Sequence, residues 1–189
     1  MMVAEAGILV GAPLATVREA VLDPDSYTQY ETKVGAVEVR ERYDGGLLAL
    51  IHGNLGPFRS AILARYTVRG DDVDLQMLEG RLRAFHAVFR LAPLDGGTWL
   101  VHREEYDFGY GPLGPLLDRA LHRWATGTVQ AEVRALRRAA EGRVAAASGA
   151  PVADGPVTEA PKPDAPVTAG RAVTGPPSES PAPNRQRED

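Results

Sequence analysis

His102, Glu104 and Tyr106 alternate along Thr98–Phe108, a stretch that otherwise reads as a β-strand. On one strand face, side chains at i and i+2 stand roughly 6.5–7 Å apart, from about 3.3 Å of rise per residue. An imidazole and a carboxylate at that spacing can meet directly or through a water, and the pair is suited to acid–base work. Tyr106 adds a phenol that can donate a hydrogen bond. The same face holds Leu100 and Phe108, which argues that it points inward. The opposite face reads Trp99, Val101, Arg103, Glu105, Asp107. Either face buries polar groups if it turns inward, at a cost in free energy unless they find partners. Arg103, Glu105 and Asp107 are expected to be outer-face charges paired across strands with residues such as Arg90 or Arg81.

Other chemistries find little support. The four histidines, His52, His86, His102 and His122, match no metal-ligand spacing, and His102-x-Glu104 lacks the Pro-Cys-x-x-Cys half of a zinc deaminase. No metal and no cofactor are expected. There is no cysteine, so disulfides and thiolate chemistry are excluded. No Gly-x-Ser-x-Gly elbow exists, and Ser26 and Ser60 have no base at a recognisable spacing. Gly109-Tyr110-Gly111-Pro112-Leu113-Gly114-Pro115 is not a phosphate cradle, because no strand–Gly-rich–Lys arrangement is present. Its residues suit a sharp strand-to-helix reversal. A net charge of −4 provides no basic footprint for nucleic acid.

The elements that must position these residues have clear punctuation. A strand over Ala6–Val10 precedes Pro13, which suits the first turn of a helix carrying Leu14, Val17 and Val21 on one face. Asp23-Pro24 reads as N-cap and first position of a second short helix, with Tyr27 and Tyr30 on one side. Strands follow over Val34–Tyr43, Leu47–Gly53, Phe58–Arg69, Val73–Gly80, Leu82–Leu91 and Thr98–Phe108, broken by Asp44-Gly45-Gly46, Gly70-Asp71 and Asp95-Gly96-Gly97. Connections this short join antiparallel neighbours. The last helix is expected over Leu113–Glu141, its stripe at Leu113, Leu117, Leu121, Trp124, Thr128, Ala131 and Ala135.

All aromatic residues lie in the first 124 positions, and nine of the fifteen prolines lie beyond Ala150. Residues 1–141 are therefore read as one folded domain, and 142–189 as a disordered Pro/Ala-rich tail. Met1–Glu5 has no positive region before an apolar core, so no signal peptide is expected. No apolar run approaches the roughly 20 residues that span a bilayer. A cytoplasmic location is the expectation.

Ala12-Pro13 with Val17 and Val21, Leu22-Asp23-Pro24-Asp25-Ser26-Tyr27, and Phe89-Arg90-Leu91-Ala92-Pro93 before Gly96-Gly97-Thr98-Trp99-Leu100 carry a resemblance. Over roughly 5–141 the chain resembles the START/birch-pollen-allergen (SRPBCC) superfamily, in its polyketide cyclase/dehydrase or coenzyme Q-binding-like branch. The resemblance implies an α+β helix-grip fold, in which a curved antiparallel sheet of about seven strands wraps a long C-terminal helix. It also implies an apolar cavity between them, with Tyr110 near one end. Phe58, Tyr66, Met77, Phe85, Phe89, Leu117, Leu121 and Trp124 form the expected inward set, with Leu100, His102, Glu104, Tyr106 and Phe108 from the last strand. Ser60, Ala64, Ala87 and Thr128 are small for inward positions, which favours a pocket of roughly 300–1,000 Å³ over a filled core.

Three functions remain open at this stage. One is a non-catalytic carrier or sensor of a small hydrophobic molecule (lipid, isoprenoid or polyketide-like), its polar end fixed by His102, Glu104 and Tyr106. Another is an aromatase/cyclase-type enzyme, with His102 or Glu104 as general base and Tyr106 as donor. The third is a protein-interaction module, with the tail as a tether to a protein partner.

Overall fold

Ten elements follow one another along the described residues: β1 (Met2–Val10), α1 (Leu14–Val21), α2 (Asp25–Thr28), β2 (Val34–Tyr43), β3 (Gly46–Leu55), β4 (Phe58–Arg69), β5 (Asp72–Glu79), β6 (Ala84–Leu94), β7 (Gly97–Asp107) and α3 (Gly114–Ser148). The structure is a computed structural model. It describes residues 1–28, 34–55, 58–109, 111 and 114–149, with the side chains at 27, 55, 58, 114, 115 and 117 outside that description. Tyr30, Tyr110 and positions 150–189 of the expected tail thus lie outside the described residues.

Local chemistry accounts for the meander. Tyr43 pairs with Gly46, Arg69 with Asp72 and Leu94 with Gly97, so three hairpins close over two residues each. Each of those loops contains a glycine at positive φ, Gly45 (76°), Gly70 (64°) or Gly96 (86°), as a turn matched to strand twist requires. The strands form one antiparallel sheet in the order β1-β7-β6-β5-β4-β3-β2. This is the helix-grip arrangement. At Gly97 a Cβ would come within 2.0 Å of the Val10 carbonyl oxygen, so the start of β7 needs glycine to lie against the end of β1. No helix among the described residues is long and apolar enough to cross a membrane.

The sheet is covered unevenly. On the β1–β7–β6 side, Val10, Phe89 and Leu100 are fully buried against Val17, Ala20 and Val21 of α1 and Val129 and Leu136 of α3. On the β2–β4 side, Val37, Val39, Ile51 and Ile62 are only half-buried.

Three sequence expectations need correction. β1 starts at Met2 rather than Ala6, because its ladder with β7 continues to the pair Met2–Tyr106. Helix α3 continues to Ser148 rather than stopping at Glu141. Gly142 is tolerated inside the helix at a cost of about 1 kcal/mol, while the Arg143 guanidinium pairs with Asp23 and Val144 packs on the core. The glycine that ends the helix is Gly149, in the left-handed conformation (φ 65°) common just past a C-terminus. The inward face of α3 is also broader than the expected stripe and shifted from it. Ala125, Val129, Glu132, Val133, Leu136 and Ala140 are buried together with the expected Ala135, whereas Leu121 and Trp124 are half-buried against the core and Thr128 and Ala131 are half-buried. A pattern built from apolar residues passes over Glu132, which sits in the middle of the true stripe.

Candidate functional site

β7 lies between β1 and β6, so both neighbours determine what surrounds its inner side chains. His102 stands between Ala6 and Phe89, Glu104 between Ala4 and Ala87, and Tyr106 between Met2 and Phe85. Alanines on both sides of Glu104 leave its carboxylate room to project toward α3. Phe89 instead lies flat on the His102 ring, with centroids 3.9 Å apart and planes 6° from parallel, and so holds the imidazole plane. Tyr106 is held by Phe85 at 5.0 Å and Trp124 at 6.4 Å between centroids.

The fourth member comes from the helix. His102 Nε2 is 3.3 Å from Glu104 Oε1 and 3.3 Å from Glu132 Oε2. The Tyr106 hydroxyl donates a short hydrogen bond to Glu104 Oε2. At the far side of the ring, Nδ1 lies 3.4 Å from the Val88 carbonyl oxygen. A carbonyl only accepts, so Nδ1 carries a proton and donates to it. Nε2 lies within ion-pair range of both carboxylates, yet it forms a well-aligned hydrogen bond to neither.

Two opposing effects set the protonation of His102. Burial is the largest and disfavours the imidazolium, but it is outweighed by the Glu132 charge together with contacts to Glu104 and Glu132. The result is a pKa raised from 6.5 to about 9. At neutral pH the cluster therefore holds a buried imidazolium.

Two small adjoining cavities open onto this cluster. One of about 60 Å³ touches Phe85 and Tyr106; the other, of about 50 Å³, touches Tyr66, Phe85, His102, Glu104 and Glu132. Val34, Ile51, Ile62 and Phe85 line both. Among the described residues, each of these cavities holds a few waters. Phe85, Tyr66 and Leu75 fill much of the space that the small residues Ser60, Ala64 and Ala87 had suggested was open.

Of the residues expected to line the pocket, Tyr66, Phe85, His102, Glu104 and Tyr106 reach the cavities. Phe89, Leu100 and Phe108 do not. They are buried in packing, Phe89 beneath His102 and Phe108 stacked 6.0 Å from Tyr106. Met77, Leu121 and Trp124 are half-buried and also line neither cavity. The Phe58 and Leu117 side chains and Tyr110 lie outside the described residues. Sequence reasoning missed Glu132, Val34, Val37, Ile51 and Ile62. A signal for Glu132 was present: Val129 three residues before it and Leu136 four after place it on an otherwise apolar helix face.

On the outer face of β7 the expected partners were also different. Arg103 pairs with Glu105 on its own strand and Glu5 on β1, and Asp107 with Arg83, rather than with Arg90 or Arg81. The register sets this, since Arg90 stands opposite Val101.

Comparison with known proteins agrees with this architecture. A family model described as polyketide cyclase/dehydrase and lipid transport matches residues 1–141. No curated protein matches the sequence. Among solved structures, the protein TTHA0849 from Thermus thermophilus superposes with a TM-score of 0.69 at 16% identity, covering 75% of this chain and 98% of that one. The aromatase/cyclase Zhui from Streptomyces sp. R1128 gives 0.63 at 21% identity, with 77% and 96% covered. A START superfamily protein from Mycobacterium smegmatis gives 0.63 at 16%, with 78% and 99% covered. At these identities the likeness shows the fold.

Proposed function

The chain belongs to the polyketide cyclase/dehydrase and lipid-transport family, and we propose that it is a binding protein for a small, mainly apolar molecule carrying one oxygen function. The molecule lies between the inner face of β2–β6 and α3, its oxygen toward Tyr106, His102 and Glu132. One observation carries this reading: a buried charged cluster faces cavities whose other walls are mainly apolar and include the half-buried Val37, Ile51 and Ile62. Charges in such a place are costly to desolvate and add little to stability when compared with apolar packing. A ligand that uses them gives a reason for their presence.

Binding is favoured here over general-base catalysis by the same imidazole. With a pKa near 9, only about one molecule in a hundred carries a neutral His102 at pH 7, whereas a base works best with a pKa near the operating pH. His102 acts as a donor that orients. Because the described cavities hold only a few waters, a ligand of lipid size requires the half-buried Val37, Ile51 and Ile62 to give way.

Native mass spectrometry of the protein purified from its own host should show a bound apolar mass, lost in a variant with Ile51→Trp and Ile62→Trp. A protein that carries none, and whose melting temperature moves with no fatty acid, isoprenoid alcohol or polycyclic aromatic phenol, would overturn the reading.

A further inference from the structure

We propose that His102, Glu104 and Glu132 form a buried site for one divalent transition cation of the zinc class. Each of the three residues offers one ligand atom, and these atoms lie within 4.8 Å of one another. Metal–nitrogen and metal–oxygen bonds of about 2.0–2.2 Å place neighbouring ligand atoms roughly 3.0–3.4 Å apart at tetrahedral to octahedral angles. The 3.3 Å from Nε2 to each carboxylate oxygen is that edge length. A directly hydrogen-bonded imidazole–carboxylate pair would instead be shorter and aligned along the N–H, typically about 2.7–2.9 Å.

A second, independent observation concerns the rest of the ring. Nε2 is buried and makes no well-aligned hydrogen bond, while Nδ1–H is directed at the Val88 carbonyl. Histidines that ligate metals donate their other ring N–H to a carbonyl or carboxylate, which fixes the tautomer and presents the lone pair to the ion. Tyr106 does the equivalent for Glu104: it donates to Oε2, while Oε1 is the oxygen nearest Nε2. Phe89 locks the ring plane from below. The cation takes the position between the three groups that the imidazolium proton serves in its absence.

The donor set indicates the class. One imidazole nitrogen and two carboxylate oxygens suit zinc and its neighbours in the first transition row; calcium and magnesium prefer oxygen alone. With the three ligands found among the described residues, a position remains toward the cavity of about 50 Å³, which has room for a water or a ligand oxygen. With the cation bound, Nε2 is a ligand rather than a donor, so the orienting role of the imidazolium belongs to the metal-free protein; the site stands whether or not an apolar molecule binds beside it.

The test titrates chelator-treated, full-length protein with Zn²⁺ by calorimetry, and with Co²⁺ by visible absorption. Expected are one ion per chain and the ligand-field bands of a four- or five-coordinate Co²⁺. Glu132→Gln and His102→Ala should each weaken binding by more than the about 10–100-fold typical of losing an outer-shell partner. Tyr106→Phe should keep the one-to-one stoichiometry with affinity lowered within that range. His86→Ala, which removes a partly exposed histidine paired with Asp74 at 3.1 Å, should leave binding unchanged. Circular dichroism of each variant separates lost ligation from lost folding, and the wild-type titration decides the matter even if a variant fails to fold. No stoichiometric ion in the wild type, or binding lost with His86 and retained without His102 and Glu132, overturns the proposal.

Discussion

The two faces of β7 carry nearly the same charges in opposite surroundings. Inside, His102, Glu104 and Glu132 have side-chain exposures of 1%, 2% and 8%; outside, Arg103, Glu105 and Glu5 have 37%, 28% and 48%. The outer set has the better contacts, with Arg103 donating from Nε and Nη2 to Glu105 at 3.0 and 2.9 Å. Geometry alone would rank it the stronger. Water reverses the ranking: exposed pairs of this kind are screened and contribute about 0–1 kcal/mol. A buried group left without its partner costs several times that. The inner face is thus where the molecule is sensitive, and where its charges need an explanation beyond stability.

That contrast can be broken by mutation, with unfolding followed by urea titration in the presence of a chelator. The largest effect is expected from His102→Ala, which leaves Glu104 and Glu132 facing each other without a cation and should lower stability by about 3–5 kcal/mol. A loss under about 1 kcal/mol would mean that solvent or relaxation already neutralises the cluster.

Next comes pH. The folded pKa of His102 is raised, so its contribution is fully present below pH 6.5 and is lost as the pH rises through about 9. That shift corresponds to a loss of about 3 kcal/mol across the window, at roughly 1.4 kcal/mol per pH unit. Among the described residues, Glu104 and Tyr106 on β7 and Glu132 on α3 are the titratable groups facing the imidazole. A stability profile that stays flat over this window, or one that keeps its slope in His102→Gln, contradicts the assignment.

Tyr106→Phe removes the donor to Glu104 Oε2 while keeping the ring between Phe85 and Trp124, and should cost about 1.5–3 kcal/mol, as for a hydrogen bond to a charged group. The smallest effect belongs to the outer face. Arg103→Ala should change stability by less than about 1 kcal/mol, and most of that should vanish in salt. A larger loss there would erase the difference between the faces.

Several parts of this arrangement follow from local rules and were legible in the chain. Two-residue loops with glycine at positive φ close hairpins wherever they occur, so Asp44-Gly45, Gly70-Asp71 and Asp95-Gly96 marked the meander. The period of two along a strand put His102, Glu104 and Tyr106 on one face without reference to anything else. The helix was harder. Its period was visible, but its rotation depends on what it packs against, and choosing apolar residues alone found Leu121, Trp124 and Ala135 but passed over Ala125, Val129 and Glu132.

The sequence by itself determined the order of elements and which residues of each strand share a face, because those depend on backbone geometry over a few residues. The tertiary structure alone decided that Glu132 meets His102 across thirty positions of chain, that Asp107 pairs with Arg83 rather than Arg90 or Arg81, and that Tyr66, Leu75 and Phe85 wall two small cavities beside the cluster. These are distances between elements, set by sheet register and helix rotation, and no local pattern encodes them.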